Sequence, residues 1–90
     1  MEKEGIIWFI LVKLANMKKF GGAHTALRNI TKSLPSSIIS NKRGKKLIEI
    51  AVKELIKREF LLAKPSTGET HISLNPRKTK EIWEFIDKYK

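Results

Sequence analysis

The chain has 90 residues, 19 of them Lys or Arg and nine Asp or Glu, which gives a formal net charge of +10. That length bounds it to one small domain, 1–90, burying only ~60% of the surface its unfolded chain exposes, and 41% hydrophobic residues exclude a charged disordered tail. The absence of cysteine excludes disulfide scaffolds, zinc ribbons and thiol catalysis together.

Residues 5–17, GIIWFILVKLANM, contain no breaker after Gly5 and read as a helix. On a wheel of ~100° per residue, Ile6, Ile7, Ile10, Leu11, Leu14 and Met17 cover one side, while Trp8, Phe9 and Val12 occupy much of the other. A helix so apolar needs burial on nearly every side. Its longest apolar stretch, Gly5 to Val12, is closed by Lys13 and is far shorter than the roughly 20 residues that cross a bilayer. Glu2 and Glu4 are unlike the basic start of a signal peptide. A soluble, cytoplasmic protein without membrane association is the expectation.

Phe20-Gly21-Gly22 breaks the first helix. A second is expected from about Ala23 to Ser33, with Ala23, Leu27, Ile30 and Leu34 on one face and Arg28 and Lys32 away from it. His24 on that helix reads as a surface or capping residue. Leu34-Pro35-Ser36-Ser37 ends the helix, because proline cannot continue it and restricts the residue before. A third helix is clearest over 45–59, with a start near Ser40 or Asn41 as the longer alternative.

Two short extended segments, 60–64 and 70–74, flank Pro65-Ser66-Thr67-Gly68-Glu69, a hairpin signal with a glycine-containing loop. Asn75-Pro76 reads as an N-cap followed by proline at the first helical position. The last helix places Ile82, Phe85, Ile86 and Tyr89 at i, i+3, i+4 and i+7. The order helix, helix, helix, hairpin, helix is mainly α with a small β-hairpin, without internal repeat or linker.

The charge is unevenly distributed. Residues 5–48 contain no acid and nine cations, Lys13, Lys18, Lys19, Arg28, Lys32, Lys42, Arg43, Lys45 and Lys46, for a balance of +9. Residues 49–90 contribute +2 and the first four residues −1. A field of one sign attracts phosphate backbones over long range. On the wheel of the third helix Leu47, Ile48, Ala51, Val52, Leu55 and Ile56 fill an apolar arc of roughly 180°. Lys42, Lys46, Glu49, Lys53 and Lys57 fall together on the other side, provided the helix extends back to Lys42.

An amphipathic helix with a basic outer stripe, preceded by a shorter helix and followed by a hairpin, suits a major groove about 12 Å wide. The run IEIAVKELIKREFLLAKPSTGETHISLNP, Ile48 to Pro76, resembles the recognition helix, short strand and wing of the winged helix-turn-helix superfamily, particularly its archaeal and bacterial regulators. Leu55-Ile56-Lys57-Arg58-Glu59-Phe60-Leu61 is similar to that family's leucine-led helix end passing into the first wing strand. The order of elements carries the resemblance further than any single residue. Two features depart from the family's pattern: Leu34 to Asn41 is longer than its usual tight turn, and Glu59-Phe60 stands where it usually has a glycine.

The resemblance implies a transcriptional regulator that inserts the third helix, about 41–59, into the major groove of double-stranded DNA, with the wing, 60–74, near the backbone. It implies that Asn41, Lys42, Arg43, Lys45, Lys46 and Glu49 occupy the helix's groove-facing start. Arg43 suits bidentate reading of guanine and Asn41 of adenine. Lys42, Lys45, Lys46 and Lys53 suit phosphates, as do Arg28 and Lys32 from the supporting helix. Glu49 either accepts from cytosine or pairs with Lys45, Lys46 or Lys53 at helical spacing. In the wing, Lys64, Ser66, Thr67 and Thr70 are placed to touch phosphate, but Glu69 beside them repels it.

Catalysis has little to draw on. Asp87 is the single aspartate, and His24 and His71 stand in different expected elements, so neither a Ser-His-Asp relay nor a poised carboxylate pair is available. The scattered acids offer no metal cage, Gly44-Lys45 lacks the rest of a phosphate-binding loop, and no cofactor or small-molecule substrate is indicated. The apolar surplus of the first helix, with Trp83 on the last, leaves two readings: one core clamped by the terminal helices, or a homodimer through the N- and C-terminal helices. An RNA-binding or ribosome-associated winged-helix protein, and a protein-interaction module of the replication or transcription machinery, stand as alternatives to the DNA-binding reading.

Overall fold

A computed structural model describes residues 1–89; Lys90, within the expected domain 1–90, lies outside the described residues. The elements in chain order are α1 (Lys3–Asn16), β1 (Thr25–Ala26), α2 (Leu27–Thr31), α3 (Ser36–Ile39), α4 (Lys42–Lys57), β2 (Leu61–Ser66), β3 (Glu69–Leu74) and α5 (Thr79–Lys88). A 3₁₀ turn, Pro76–Lys78, leads into α5. Helices thus dominate, with one small antiparallel sheet in the order β1-β3-β2.

α1 is the centre of the core. Ile6, Ile7, Ile10, Leu11 and Leu14 are fully buried in a helix that packs against α4, α5, α2 and β3. Its other side is half-covered: Trp8, Phe9 and Val12 keep part of their surface exposed, and the Trp8 indole donates to the Ile86 carbonyl of α5 at 3.0 Å. Met17, expected on the apolar stripe, is the exposed C-cap instead. Ala51, Val52 and Leu55 of α4, Ile30 of α2, Leu34, Ile38 of α3, Ile72 and Leu74 of β3, and Ile82 of α5 complete the core. Ile56 of α4, expected at the edge of the apolar arc, is 40% exposed, because that arc is wider than the surface its neighbours cover.

The expected helix from Ala23 to Ser33 is a correction. Thr25 and Ala26 are extended and pair with Ile72 and His71 of β3, leaving α2 with five residues. A nonlocal partner, invisible to helical spacing, takes the backbone there. The long connection Leu34 to Asn41 is occupied by α3, a single turn begun after Pro35. The third expected helix has its longer form: Asn41 caps α4, accepting from Gly44 N at 2.7 Å and donating its amide to the Ser37 carbonyl.

Gly44 is buried where α3 crosses the first turn of α4. A Cβ there would lie 2.8 Å from Ile38 Cα and closer still to the Ile38 carbonyl, so only glycine permits the crossing.

The hairpin is tighter than its expected five-residue loop. β2 and β3 pair from Leu61↔Leu74 to Ser66↔Glu69, leaving a two-residue turn. Thr67 and Gly68 both have positive φ, 49° and 77°, the conformation that matches the twist of the flanking strands. At the junction from α4 to β2, where the sequence has Glu59-Phe60, Glu59 itself adopts φ 64°. Phe60 N donates to Leu55 O and Glu59 N to Ile56 O, the paired bonds that close a helix on a left-handed residue. α1 ends the same way on Lys18, φ 56°, with Lys19 N to Leu14 O and Lys18 N to Ala15 O. Asn75 opens the last helix as expected, its Oδ1 accepting from Arg77 N at 3.0 Å, although what it caps is the 3₁₀ turn. Tyr89, expected on the buried stripe of the last helix, is 44% exposed at the C-cap of α5.

Two substitutions test these backbone constraints. Gly44→Ala should lower the unfolding free energy by at least about 2 kcal/mol in chemical denaturation, through forced separation of α3 from α4. Glu59→Gly should raise it by about 0.5–1 kcal/mol, since relief of the left-handed strain exceeds the entropy of freeing the unfolded chain; an unchanged or lower denaturation midpoint would contradict this account of the helix end.

Candidate nucleic-acid interface

α4 presents the strongest charge on the molecule. Its buried side carries Gly44, Ala51, Val52 and Leu55 against α1, α3 and β2. Its open side carries Lys42, Arg43, Lys45, Lys46, Glu49, Lys53 and Lys57, all exposed. Five of these, Lys42, Lys46, Glu49, Lys53 and Lys57, line up along the helix as expected from the wheel.

Two features make this face electrostatically unusual. Glu49 is its one acid and pairs with Lys53 at 3.3 Å, so of its two readings the ion pair is the one formed. Lys42, Arg43, Lys45 and Lys46 have no carboxylate within ion-pair distance among the described residues. They also crowd the start of a helix whose first turn holds no acid. Cations are unfavourable at the positive end of a helix dipole, and Lys42 and Lys46 are like charges one turn apart. An anion placed there relieves both.

Asn41 is differently used from the reading of adenine. Both ends of its amide are engaged within the chain, one by Gly44 N and the other by the Ser37 carbonyl. Arg43 is exposed but stands at the flank of the basic face, lining a hollow with Met1, Glu2 and Ser37. Lys32 is exposed at the C-cap of α2. Lys64 is exposed on β2, and Thr67 is at the hairpin tip.

Arg28 is brought to the hairpin rather than left free. Its Nε donates to Glu69, tying α2 to the start of β3 and neutralising the acid that the hairpin carries. That bond, ahead of an opposing push from burial, holds the Glu69 carboxyl below the usual carboxylate range. Glu54, on the flank of α4, receives Lys3 and Arg58, each at 2.7 Å. The Lys3 hydrogen bond is the main cause of its lowered pKa, and Lys3 is raised in return. Four acids of the second half, Glu49, Glu54, Glu69 and Glu81, thus pair with cations away from the start of α4.

The histidines are the feature that sequence spacing missed. His24 precedes β1 and His71 lies in β3, so the β1–β3 pairing brings them together with Nδ1 atoms 2.8 Å apart. Their rings meet edge to face at 4.9 Å. Burial first, then the positive charge of Lys64, His71 and Lys19, pushes the His24 pKa below its ordinary value of 6.5. An unfolded chain therefore takes up this proton more readily. The contribution of His24 to stability is complete above its ordinary pKa and is lost as the pH falls through the depressed one.

Among the described residues no group of three or more His, Asp or Glu is placed to hold a metal ion, and no helix is long and apolar enough to cross a membrane. No protein-family model, curated protein or solved structure matches the chain.

Proposed function

We propose that the protein is a winged helix-turn-helix DNA-binding regulator that lays α4 in the major groove of duplex DNA. The observation that carries this reading is the unpaired group Lys42, Arg43, Lys45 and Lys46 at the exposed start of a 16-residue helix. Those charges oppose the helix dipole and one another, and a phosphate backbone supplies the missing counter-charge. The element order supports it: α2 and α3 precede α4 as bracing elements, and β2 and β3 follow as a wing. Lys42, Lys45, Lys46 and Lys53 contact phosphates and position the helix; Arg43 reads a base edge from the flank. Lys32 and Lys64 contact the backbone on either side, and Thr67 reaches it from the wing tip. Asn41 acts through its cap, by fixing where α4 begins, and Arg28 acts by neutralising Glu69. The role is non-catalytic, and the location that follows from it is the nucleoid of a prokaryotic cytoplasm.

The terminal helices join two copies in this reading. Trp83 of α5 and Tyr89 at its C-cap are 45% and 44% exposed, and Trp8 and Phe9 of α1 are half-covered. A two-fold pairing there presents two α4 helices to successive turns of a palindromic site, ~34 Å apart.

Binding selection over random duplexes at two salt concentrations, with structured RNA in parallel, tests the function. Affinity for duplex DNA should fall steeply with salt. Arg43→Ala should relax base preference, while Lys46→Ala should weaken all duplexes alike and reduce the salt slope by about one. Parent-like binding by both variants would mean that another face is used; salt-dependent binding confined to RNA would favour the RNA-binding alternative, because the deep, narrow groove of A-form helices does not admit α4. Sedimentation at roughly tens of micromolar should return the mass of a dimer, falling to a monomer for Trp83→Ala combined with Tyr89→Ala; a monomeric parent removes the dimer.

A further inference from the structure

The histidine pair stands midway along the hairpin, where β1 joins β3, on the outer face of the sheet. Gly21, Gly22, His24, Lys64, His71 and Ser73 line a shallow cavity of about 150 Å³ there. The surrounding charges come from every element that packs against the pair. Lys64 is directly across from His71 in the β2–β3 register, and Lys19, from the loop after α1, acts on His24. Glu69 approaches His71 Nε2 at 3.7 Å but is engaged by Arg28 of α2. The balance at the cavity is positive.

An Nδ1 to Nδ1 contact of 2.8 Å has a definite proton content. One nitrogen must donate and the other accept, whereas a protonated imidazole donates from both nitrogens and accepts from neither. The closed pair can therefore hold at most one extra proton. A second forces the two N–H groups apart, and the rings then offer two donors to whatever anion enters between them. Lys64 and Lys19 discourage that second proton in the free protein, and the same field favours an anion. Proton uptake and anion binding are therefore coupled, each promoting the other.

We propose that His24, His71 and Lys64 form a proton-linked phosphate site midway along the hairpin. A phosphate oxygen replaces the nitrogen-to-nitrogen bond, accepting from Nδ1–H of each ring, with Lys64 and Lys19 supplying further positive charge. The phosphate is a backbone group of bound nucleic acid or a free phosphate ion; the first source rests on the function proposed above, the second does not. Acidification then adds one phosphate contact to those of α4. Gly21 and Gly22 stand three and two residues before His24, giving the backbone on that side the freedom to let the rings part.

Two measurements on the full chain separate the possibilities. In NMR titrations of the histidine ring protons, inorganic phosphate should raise the midpoints of both His24 and His71 relative to chloride at equal ionic strength, and Lys64→Gln should diminish the effect. With a mixed-sequence duplex, the slope of log affinity against log salt should be steeper by about one at pH near 5.5 than near 8, and His24→Gln or His71→Gln should remove the difference. Phosphate-sensitive histidines together with a pH-dependent slope support the site with nucleic acid as the source. Phosphate-sensitive histidines with no duplex binding at either pH support it with free phosphate as the source and overturn the DNA-binding reading. Histidine midpoints that ignore phosphate, with a duplex slope equal at the two pH values, overturn the site and leave the DNA-binding reading standing. The titrations of the parent chain decide this even if a histidine variant fails to fold.

Discussion

Gly44 has no side chain where α3 crosses α4, and the placement of the basic face follows from that absence. The Ile38 backbone occupies the space a Cβ would need, so α3 packs directly on the first turn of α4. From there the Asn41 side chain reaches both helices, capping one at Gly44 N and closing the other at Ser37 O. The crossing and the cap together begin α4 at Lys42 instead of a turn later. Had the helix begun at Lys45, Lys42 and Arg43 would belong to a loop and the stripe would lose its first turn. A contact between two backbones thus decides the geometry of a surface made of long, flexible side chains.

The rest of the electrostatics follows from where the few acids are spent. Glu54 joins Lys3 and Arg58 at the flank of α4, Glu69 joins Arg28 beside the sheet, and Glu49 takes Lys53. Exposed pairs of this kind add little to stability. Their effect is on distribution: cations near them are compensated, and those at the start of α4 are not. The same logic holds along the hairpin, where Arg28 occupies Glu69 and leaves Lys64 and Lys19 to set the potential around the histidines.

Legibility in the sequence tracks the range of the forces involved. α1, α4, the hairpin and α5 were all apparent, since apolar spacing, proline and glycine act within a few residues of one another. The basic stripe was apparent for the same reason, while the pairing of Glu49 with Lys53 was one of several partners its spacing allowed. β1 and α3 were not. Thr25 and Ala26 continue an acceptable helical pattern and are extended only because β3, more than 40 residues later, offers them hydrogen bonds. Glu59-Phe60 offered no glycine at the end of α4, yet the helix turns on Glu59 with left-handed geometry, at the cost of strain a glycine would avoid.

By itself the sequence determined a small, cysteine-free, mainly helical chain with its charge surplus in an acid-free half and an amphipathic helix to display part of it. These are properties of composition and period, which need no partner in space. Tertiary structure alone decided that Asn41 serves as a cap, that Arg28 serves Glu69, and that His24 meets His71 across the sheet. Each of the last two pairings joins residues more than 40 positions apart, and no local rule relates them. They exist because β1 pairs with β3 and because α2 packs beside that sheet, so their chemistry arises only once the chain has closed on itself.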